Sequence, residues 1–423
     1  MADGTDTSPL IVIGAGAAGL IAAWRAASLG APVLLLERNR KPGIKLLISG
    51  GGRCNITHSG DMEALRLQFL PREGRFLKPA FHRFTNRDIV RIVEEGGVPT
   101  TARQDGRVFP AAGAADDVVR VLVDAVERSG VRVRAGTRAL RLVLRDGAVA
   151  GVETAEGFLA ASRIIVAVGG ASYPKTGTTG DGYRWAAAAG HTVVPIRPAL
   201  APIGVDPPLS AAWRGVALRG GELMLVHRGR KRASWAADIL FSHEGVTGPA
   251  ALGLSREAAL AREEGEAELR FDFFPDEDHA SLDALLNREI AARRSRMLGS
   301  LLEEMLPDRI VPALLTATGV DPAKRGHVIR RDERRRVVGV LKEWRLGNVG
   351  PIVMERGEVS AGGVELDEVD PQTMRSRRVR GLYLCGEVLD IAGPVGGYNL
   401  QAAFSTGFVA GETAARDHAE AAS

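Results

Sequence analysis

Leu10-Ile11-Val12-Ile13-Gly14-Ala15-Gly16-Ala17-Ala18-Gly19 is the first apolar segment of the chain, and it carries the spacing Gly-x-Gly-x-x-Gly. Its four leading residues predict a buried strand, and 17–29 predicts a helix. Gly14 permits a tight turn, Gly16 lets the backbone approach a diphosphate, and Gly19 lets helix and strand pack closely. Because free N–H groups at a helix start favour anions, the stretch predicts a dinucleotide site with Ala17 and Ala18 in the first helical turn.

An acid follows at the spacing that this type of site requires. Residues 33–36 predict a second buried strand, and Glu37 stands 18 residues after Gly19. A carboxylate at this position hydrogen-bonds the adenosine ribose. A glycine turn that serves packing alone is the alternative, and the combination of strand, helix, strand and acid makes it the poorer one. We assign Arg38 and Lys45, farther along, to the same cofactor site.

The far end of the chain indicates which dinucleotide binds. Residues 382–384 predict a strand that leads into Gly386-Glu387, and Gly396-Gly397-Tyr398-Asn399-Leu400 precedes a helix predicted over 400–412. A cofactor as long as FAD needs a second contact region, in which an acid accepts a ribityl hydroxyl and a helix N-terminus stabilises charge on the reduced ring. NAD has no such need, so we expect FAD rather than an ordinary glycine loop before a helix.

The pattern of elements predicts an interrupted α/β chain. A length of 423 residues suggests two or three units. We expect a Rossmann-type FAD-binding domain interrupted by an inserted mainly-β domain with a small helical module. The predicted ranges are 1–194 for the first part of the FAD-binding domain, 195–345 for the inserted substrate or cap domain and 346–423 for the second part. Within the insertion, strands extend to about 275 and helices occupy about 280–345.

Composition sets further limits. The chain is 45% hydrophobic and 25% charged, as ordinary globular proteins are. Two distant cysteines, Cys54 and Cys385, fit a reducing cytosol. No apolar run of about 18 residues exists and no signal-peptide pattern is present, so we expect a cytoplasmic protein without a membrane span. The eight histidines show no ligand spacing, so no metal site is expected.

Several longer motifs carry a family resemblance. They are Ile48-Ser49-Gly50-Gly51-Gly52-Arg53-Cys54-Asn55-Ile56-Thr57, Gly169-Gly170-Ala171-Ser172-Tyr173-Pro174, Phe241-Ser242-His243-Glu244-Gly245-Val246-Thr247-Gly248-Pro249 and Gly396-Gly397-Tyr398-Asn399-Leu400-Gln401. With them, residues 11–59 and 360–411 resemble the HI0933-type flavoprotein family of the glutathione-reductase-like FAD superfamily. The resemblance implies bound FAD, reduction by NADH or NADPH, and reduction of carbon–carbon double bonds. Some members resemble ribosomal RNA dihydrouridine synthases and others bile-acid-type steroid reductases, so the substrate stays open.

The glycine-rich motifs extend the predicted cofactor site. Residues 49–55 offer unobstructed backbone N–H groups, and Arg53 offers a guanidinium for phosphate or flavin oxygen. A flexible glycine linker is the alternative. Residues assigned here are Ser49, Gly50, Gly51, Arg53, Cys54, Gly169 and Gly170. Only one complete Gly-x-Gly-x-x-Gly motif exists, which indicates that nicotinamide visits the flavin transiently and predicts ping-pong kinetics.

Three residues are candidates for proton transfer. His243 can quench the enolate-like charge left by hydride addition, or it is merely a solvated or capping histidine. Cys54 can donate a proton, although packing as a small buried residue is the favoured role. Tyr398 begins the helix that faces the flavin, which makes it a polar group at the edge of the cleft.

Three basic clusters bear on the partner: 227–232, 324–336 and 375–380. Two of them lie in the insertion, where a shared basic face would attract a polyanion such as ribosomal RNA. Solvated helices neutralised by nearby acids are the alternative. Together with the family resemblance, the basic insertion makes uracil in ribosomal RNA the preferred substrate. The other hypotheses are a small-molecule enone or steroid reductase and a non-catalytic, flavin-containing RNA-binding protein. The oligomeric state is not predicted.

Overall fold

The computed structural model describes residues 8–422. Contacts divide the chain into an outer unit, which ends its first part at Arg197 and resumes at Glu358, and an inserted unit, Pro198–Gly357. The inserted unit continues past position 345, where the sequence pattern predicted its end. The reason is strand pairing, since residues 344–349 hydrogen-bond to two other strands of the inserted sheet.

The outer unit is built from short strands and helices. Its first part contains β1 (Leu10–Ile13), α1 (Ala17–Ser28), β2 (Val33–Glu37), α2 (Ile44–Gly52), β3 (Thr57–His58), α3 (Met62–Arg66), α4 (Pro71–Arg83), α5 (Asn86–Glu95), β4 (Thr100–Ala102), β5 (Arg107–Pro110), α6 (Ala115–Arg128), β6 (Arg132–Ala135), β7 (Ala139–Arg145), β8 (Ala148–Thr154), β9 (Gly157–Ala160), β10 (Ile164–Val166), α7 (Asp181–Ala188) and β11 (Val193–Ala199).

The inserted unit and the return to the outer unit complete the chain. The insertion contains β12 (Ile203–Asp206), β13 (Ala217–Leu218), β14 (Glu222–His227), β15 (Arg230–Ala236), β16 (Ile239–Phe241), β17 (Gly245–Thr247), α8 (Pro249–Glu264), β18 (Ala267–Asp272), α9 (His279–Ala292), α10 (Leu298–Glu303), α11 (Val311–Thr318), α12 (Arg331–Lys342) and β19 (Trp344–Val349). The return consists of β20 (Val359–Val364), β21 (Leu382–Leu384) and α13 (Tyr398–Ala422).

A parallel five-stranded sheet, in the order β21-β10-β1-β2-β6, forms the centre of the outer unit. Ile11 pairs with Ile164 and with Leu34, and Ile164 pairs with Leu382. The strands β1, β10 and β21 are fully buried, as expected for a parallel sheet covered on both faces. Because the strands are parallel, the loops that follow β1, β2, β10 and β21 all leave from the same carboxyl edge, where ligands bind in such folds.

Helices α1 and α13 pack backbone to backbone. A Cβ atom at Gly407 would lie 2.2 Å from the Ala18 carbonyl oxygen, and one at Gly411 would lie 2.2 Å from the Ala22 carbonyl oxygen. Only glycine permits this approach. The contact joins the helix of the first glycine motif to the last helix of the chain. Smaller sheets (β3-β5-β4, β7-β8-β9 and β11-β20) complete the outer unit.

The inserted unit contains an eight-stranded sheet, β13-β16-β17-β12-β19-β18-β14-β15, whose pairs are antiparallel. The expectation of strands and loops up to about 275 was wrong for α8, a helix within that stretch. Pro249 occupies its first position, and the alanines, leucines and glutamates after it have high helix propensity, a local pattern that the proline-rich context concealed. Helices α9–α12 form the predicted helical module.

Candidate cofactor site

In the first glycine turn, Gly14 and Gly19 are packed closely against backbone atoms, whereas Gly16 faces open space. Gly14 has φ +99°, and a Cβ there would lie 2.6 Å from the Ala167 carbonyl oxygen. At Gly19 a Cβ would lie 1.7 Å from the Gly14 carbonyl oxygen, whereas no atom lies within 4 Å of a Cβ built at Gly16. No side chain caps the N-terminus of α1. The turn therefore presents free N–H donors to open space, a donor set that suits the diphosphate of a dinucleotide.

Glu37 is buried at the end of β2 and is held in place by the backbone. Its carboxylate accepts hydrogen bonds from the Ala15 amide at 2.8 Å and from the Asn39 amide at 2.7 Å. Burial raises the pKa of this carboxyl group, and the two amides oppose the change. The next side chain, Arg38, donates to the Thr179 hydroxyl at 2.7 Å. Glu37 is thus fixed beside the glycine turn, which is the position predicted for a ribose acceptor.

A network of polar groups surrounds Glu387, after β21. The Lys45 ammonium lies 2.8 Å from Glu387 Oε2 and 2.7 Å from the Ser172 hydroxyl. The Ser360 amide and hydroxyl donate to Glu387 Oε1 at 2.8 and 3.0 Å. Burial opposes ionisation of Glu387, but Lys45 and Ser360 outweigh it and hold the pKa below its usual range. Gly170 completes the network, because a Cβ there would lie 2.0 Å from the Ser360 hydroxyl.

Residues 49–52 form a turn inside α2. Ser49 has extended backbone angles, and Gly50 and Gly51 have φ values of 58° and 69°. A Cβ at Gly50 would lie 2.7 Å from the Asn55 amide nitrogen, while Gly51 and Gly52 face open space. The arrangement requires glycine for conformation and, at Gly50, for space. Arg53, which caps the C-terminus of α2, is exposed.

Cys54 follows the same turn with φ +57° and no exposed surface. Burial raises the pKa of its thiol to about 11, an effect that the Ser49 hydroxyl partly opposes. Cys385 is also buried, and burial raises the pKa of its thiol as well. Both cysteines therefore stay protonated at neutral pH, so neither is activated as a nucleophile.

The start of α13 is packed against the 54–58 segment. Gly397 has φ +91°, and a Cβ there would lie 2.5 Å from the Thr57 carbonyl oxygen. Tyr398 stacks on His58 with ring centroids 5.1 Å apart, and burial raises the pKa of its phenol. The Asn399 side chain bonds the Gly393 amide and carbonyl, each at 2.8 Å. Asn399 thus clamps the preceding loop with its side chain, and Leu400 follows within the first turn.

His243 belongs to the inserted unit, on the loop between β16 and β17. Its side chain is 59% exposed, and Nε2 lies 3.2 Å from Glu244 Oε1. Glu244 also pairs with Arg356. The loop is closed by the Ser242 amide, which donates to the Gly245 carbonyl oxygen at 2.8 Å. Within its unit His243 is therefore a solvated side chain with an acidic neighbour, and its role as a general acid stays a prediction.

The outer unit brings the predicted cofactor residues together at the carboxyl edge of the sheet. Lys45 joins α2 to the segment after β21. A Cβ at Gly386 would lie 2.9 Å from the Ala18 methyl, in the first turn of α1. The sequence analysis did not assign Ser172 or Ser360 to the cofactor site. Ser172 belongs to the motif Gly169–Pro174, of which only Gly169 and Gly170 were predicted to contact the cofactor. Nothing in the spacing of Ser360 indicated its contact with Glu387.

Residues 8–422 contain neither a cluster of metal ligands nor a membrane-spanning helix. No group of three or more histidine, cysteine or acidic side chains gathers there as a metal site. Among the same residues, every helix is too short or too polar to cross a bilayer.

Comparison with known proteins identifies the family. The model of the HI0933-like protein Rossmann domain matches residues 8–413. The chain belongs to the HI0933-like family. It is 32% identical over 396 residues to a ribosomal RNA dihydrouridine synthase of Escherichia coli, covering 94% of this chain and 95% of that protein. It is 30% identical over 415 residues to a 3-dehydro-bile acid delta(4,6)-reductase of Clostridium scindens, covering 96% and 98%.

Solved structures confirm the fold class. A structure of E. coli quinol fumarate reductase superposes with a TM-score of 0.51 at 19% identity, over 97% of this chain and 70% of that one. The family resemblance inferred from the glycine motifs is confirmed, and the chain is an FAD-dependent oxidoreductase of the HI0933-like family.

Proposed function

We propose that this flavoprotein takes reducing equivalents from NADH or NADPH and reduces the carbon–carbon double bond of uracil in ribosomal RNA. The observation that carries the proposal is the match to a relative named ribosomal RNA dihydrouridine synthase over 94% of the chain, which includes the inserted unit. The basic helical module gives separate support, because ribosomal RNA is a polyanion and small enones are not.

The carboxyl edge of the outer sheet fits FAD by its donors and its open space. We assign the diphosphate to the α1 N-terminus, the ribose to Glu37, the ribityl chain to the Glu387 network and the pyrimidine edge of the ring to the α13 N-terminus. Bound FAD supplies two-electron chemistry between a nicotinamide and an acceptor. The proposed contact residues are Gly14, Gly16, Ala17, Ala18, Gly19, Glu37, Arg38, Lys45, Ser49, Gly50, Gly51, Arg53, Cys54, Gly169, Gly170, Gly386, Glu387, Gly396, Gly397, Tyr398, Asn399 and Leu400.

The side chains of this protein must also supply a proton. Addition of hydride to one carbon of a conjugated double bond leaves enolate-like charge, and the second carbon then takes a proton. Because its pKa is about 11, the Cys54 thiol is protonated at neutral pH. Burial raises the pKa of the Tyr398 phenol, which is therefore also protonated at neutral pH. His243 is the third candidate. We expect one of the three to be the donor.

The kinetic order follows from the single nucleotide motif. With no second Gly-x-Gly-x-x-Gly motif for a resident nicotinamide, NAD(P)H binds, reduces the enzyme and leaves before RNA enters. Initial rates at varied NAD(P)H and RNA concentrations should therefore give parallel double-reciprocal lines. Intersecting lines would show that both substrates are bound together.

A small-molecule enone or steroid reductase is the second candidate, supported by the bile-acid reductase relative at 30% identity. A non-catalytic, flavin-containing RNA-binding protein is the third. It predicts that the flavin stays oxidised in the presence of NAD(P)H, or that reduced flavin is not reoxidised by any acceptor of these classes.

The first experiment follows the visible spectrum of the purified protein without oxygen. Bleaching by NADH or NADPH tests the reductive half-reaction, and unmodified ribosomal RNA is then compared with a panel of enones as oxidant. Reoxidation by RNA, with dihydrouridine found in the digested RNA, supports the proposal. Reoxidation by enones alone overturns it in favour of the small-molecule reductase.

Single variants then identify the proton donor. Cys54→Ala, Tyr398→Phe and His243→Asn are each measured in both half-reactions. Removing the donor should slow the oxidative half-reaction by roughly 10²–10⁴-fold and leave reduction by NAD(P)H unchanged. If no variant slows oxidation, none of the three is the donor.

A further inference from the structure

Positive charge is concentrated in one part of the inserted unit, residues 279–342, which we call the helical module. It holds thirteen lysines and arginines against eight aspartates and glutamates, a net charge of +5. The whole chain carries +4, so all other residues together sum to −1. The module contains no phenylalanine, tryptophan or tyrosine. It is therefore a charged surface without the large aromatic rings on which bases commonly stack.

Some of these cations are neutralised inside the module. Arg334, on α12, contacts Asp283 at 2.7 Å and Asn287 at 2.8 Å, both on α9. Lys324 lies 2.7 Å from Glu333 Oε1. These contacts tie α12 to α9 and to the loop before it. Their charges are used for folding and are not available to a ligand.

Six other arginines of the module are exposed, and no carboxylate of residues 8–422 lies within ion-pair distance of them: Arg288, Arg294, Arg309, Arg325, Arg331 and Arg335. Arg331 and Arg335 are one turn apart on α12, so they share a face. The Arg325 guanidinium contacts the Ser295 carbonyl oxygen at 3.4 Å, which places Arg325 beside the Arg294 segment. Apart from Arg309, which lies before α11, the free charges thus gather around the beginning of α12 and the end of α9.

The other two basic clusters are neutralised in part, and Arg228 and Arg230 of 227–232 have no carboxylate of residues 8–422 within ion-pair distance. In 227–232, Arg232 pairs with Glu257 and Glu264, and Lys231 pairs with Glu222 at 2.9 Å. In 375–380, ion pairs join Arg375 to Asp417, Arg377 to Asp370 and Arg378 to Glu368. Free charge is therefore smallest at 375–380, whereas 227–232 and the helical module both keep unpaired arginines, and the module keeps more of them.

We infer that the α9–α12 face of the helical module docks the phosphate backbone of folded RNA. Exposed guanidinium groups bind phosphate through paired N–H donors, and each neutralised phosphate releases counterions. The lack of aromatic residues excludes a stacking platform for unpaired bases in this module and favours backbone contacts with a structured RNA. The identity of the RNA rests on the proposed function, whereas the docking surface rests on the charges alone.

The test compares two double variants that remove the same charge. Arg331→Gln/Arg335→Gln removes two free cations of the module. Arg128→Gln/Arg145→Gln removes two exposed arginines of the outer unit that form no ion pair among the described residues. Binding of in-vitro transcribed, unmodified ribosomal RNA to the FAD-loaded protein is measured between 50 and 300 mM salt. We expect the module variant to bind about tenfold more weakly, with a salt dependence lower by roughly 2 in log–log slope, and the control to match wild type.

Two further measurements keep the outcome separate from the proposed function. Reduction by NAD(P)H and the melting temperature should be the same in both variants, which shows that the module variant is folded. If the wild-type protein forms no dihydrouridine but its binding to RNA depends on the module, the proposed substrate is refuted and the docking surface is supported. Equal RNA binding by the two variants would overturn the inference. So would module-dependent binding to anionic phosphatidylserine vesicles with no affinity for RNA, because that outcome assigns the face to a membrane surface.

Discussion

Two lysine–glutamate pairs, one in each unit, use similar geometry in different ways. Lys45 meets Glu387 at 2.8 Å in the outer unit, and Lys324 meets Glu333 at 2.7 Å in the helical module. Both glutamates are mostly covered, with 18% and 7% of their side chains exposed. The partners of the first pair are 342 positions apart in sequence, whereas those of the second are nine apart.

The other hydrogen bonds of the two glutamates also come from distant segments in the outer unit and from neighbouring residues in the helical module. Ser360 and Ser172, from other parts of the outer unit, also donate hydrogen bonds to Glu387. The Arg330 amide donates a hydrogen bond to Glu333 at 2.9 Å, as part of the cap at the N-terminus of α12. A site that must hold a cofactor is thus built from distant segments that meet only in the folded unit. The surface that we propose docks RNA is instead built locally, with long side chains left in water.

The largest contrast is expected from one alanine in each region. Gly19→Ala places a Cβ 1.7 Å from the Gly14 carbonyl oxygen, so we expect a loss of at least about 3 kcal/mol of stability, together with loss of bound FAD. Gly339→Ala, in α12, has no atom within 4 Å of its Cβ and should stabilise by about 0.5–1 kcal/mol. Urea unfolding and the visible flavin spectrum measure both. A Gly19→Ala protein that is yellow and as stable as wild type would contradict the description of the turn.

Removal of each lysine gives a smaller contrast. Lys45→Met leaves Glu387 covered without its cation, and we expect a loss of about 2–3 kcal/mol and weaker retention of FAD. Lys324→Met should cost about 1 kcal/mol, because Glu333 keeps both the Arg330 amide and the Arg330 guanidinium as partners. In the double variant Lys45→Met/Glu387→Gln, no buried charge is left unpaired, so part of the lost stability should return. Equal losses in the two single variants would remove the distinction between the pairs.

The smallest effect is a pH dependence at Glu333. Its hydrogen bond with Lys324, followed by that of the Arg330 amide, holds the pKa of the carboxyl group below its usual value. A lowered pKa in the folded state stabilises the protein above the unfolded pKa of about 4.5, and this stabilisation is lost as the pH falls. The melting temperature of wild type should therefore exceed that of Glu333→Gln by more at pH 6 than at pH 3.5. A constant difference would show that the pair is not formed in solution.

Sequence patterns predicted the elements whose causes are local. The strands 10–13 and 382–384 are confirmed, and the helix predicted from 400 begins at Tyr398. Continuous apolar runs and glycine spacing were sufficient there, because a buried parallel strand and a tight turn each have a composition of their own. The helix α8 also had local causes, and it was missed because prolines around it favoured a reading of strands and loops.

The partners within the site were beyond such patterns. Ser172 and Ser360 meet Glu387 only because β10, β20 and β21 bring three segments to one edge. The basic clusters show the same limit. Counting arginines did not show that Arg375 is neutralised, since its partner Asp417 lies 42 positions farther along the chain.

The contact between α1 and α13 has a consequence for synthesis on the ribosome. Gly407 and Gly411 meet the backbone of α1, and β21 covers the free edge of β10, so the outer sheet is complete only after nearly all of the chain has been made. Until then the first glycine turn is translated but lacks its covering helix, and the edge of β10 is an exposed apolar surface. The inserted unit, whose residues are contiguous, can fold during this interval. We therefore expect FAD to be captured late in the maturation of the nascent polypeptide, and the uncovered N-terminal segment to be the part that chaperones bind.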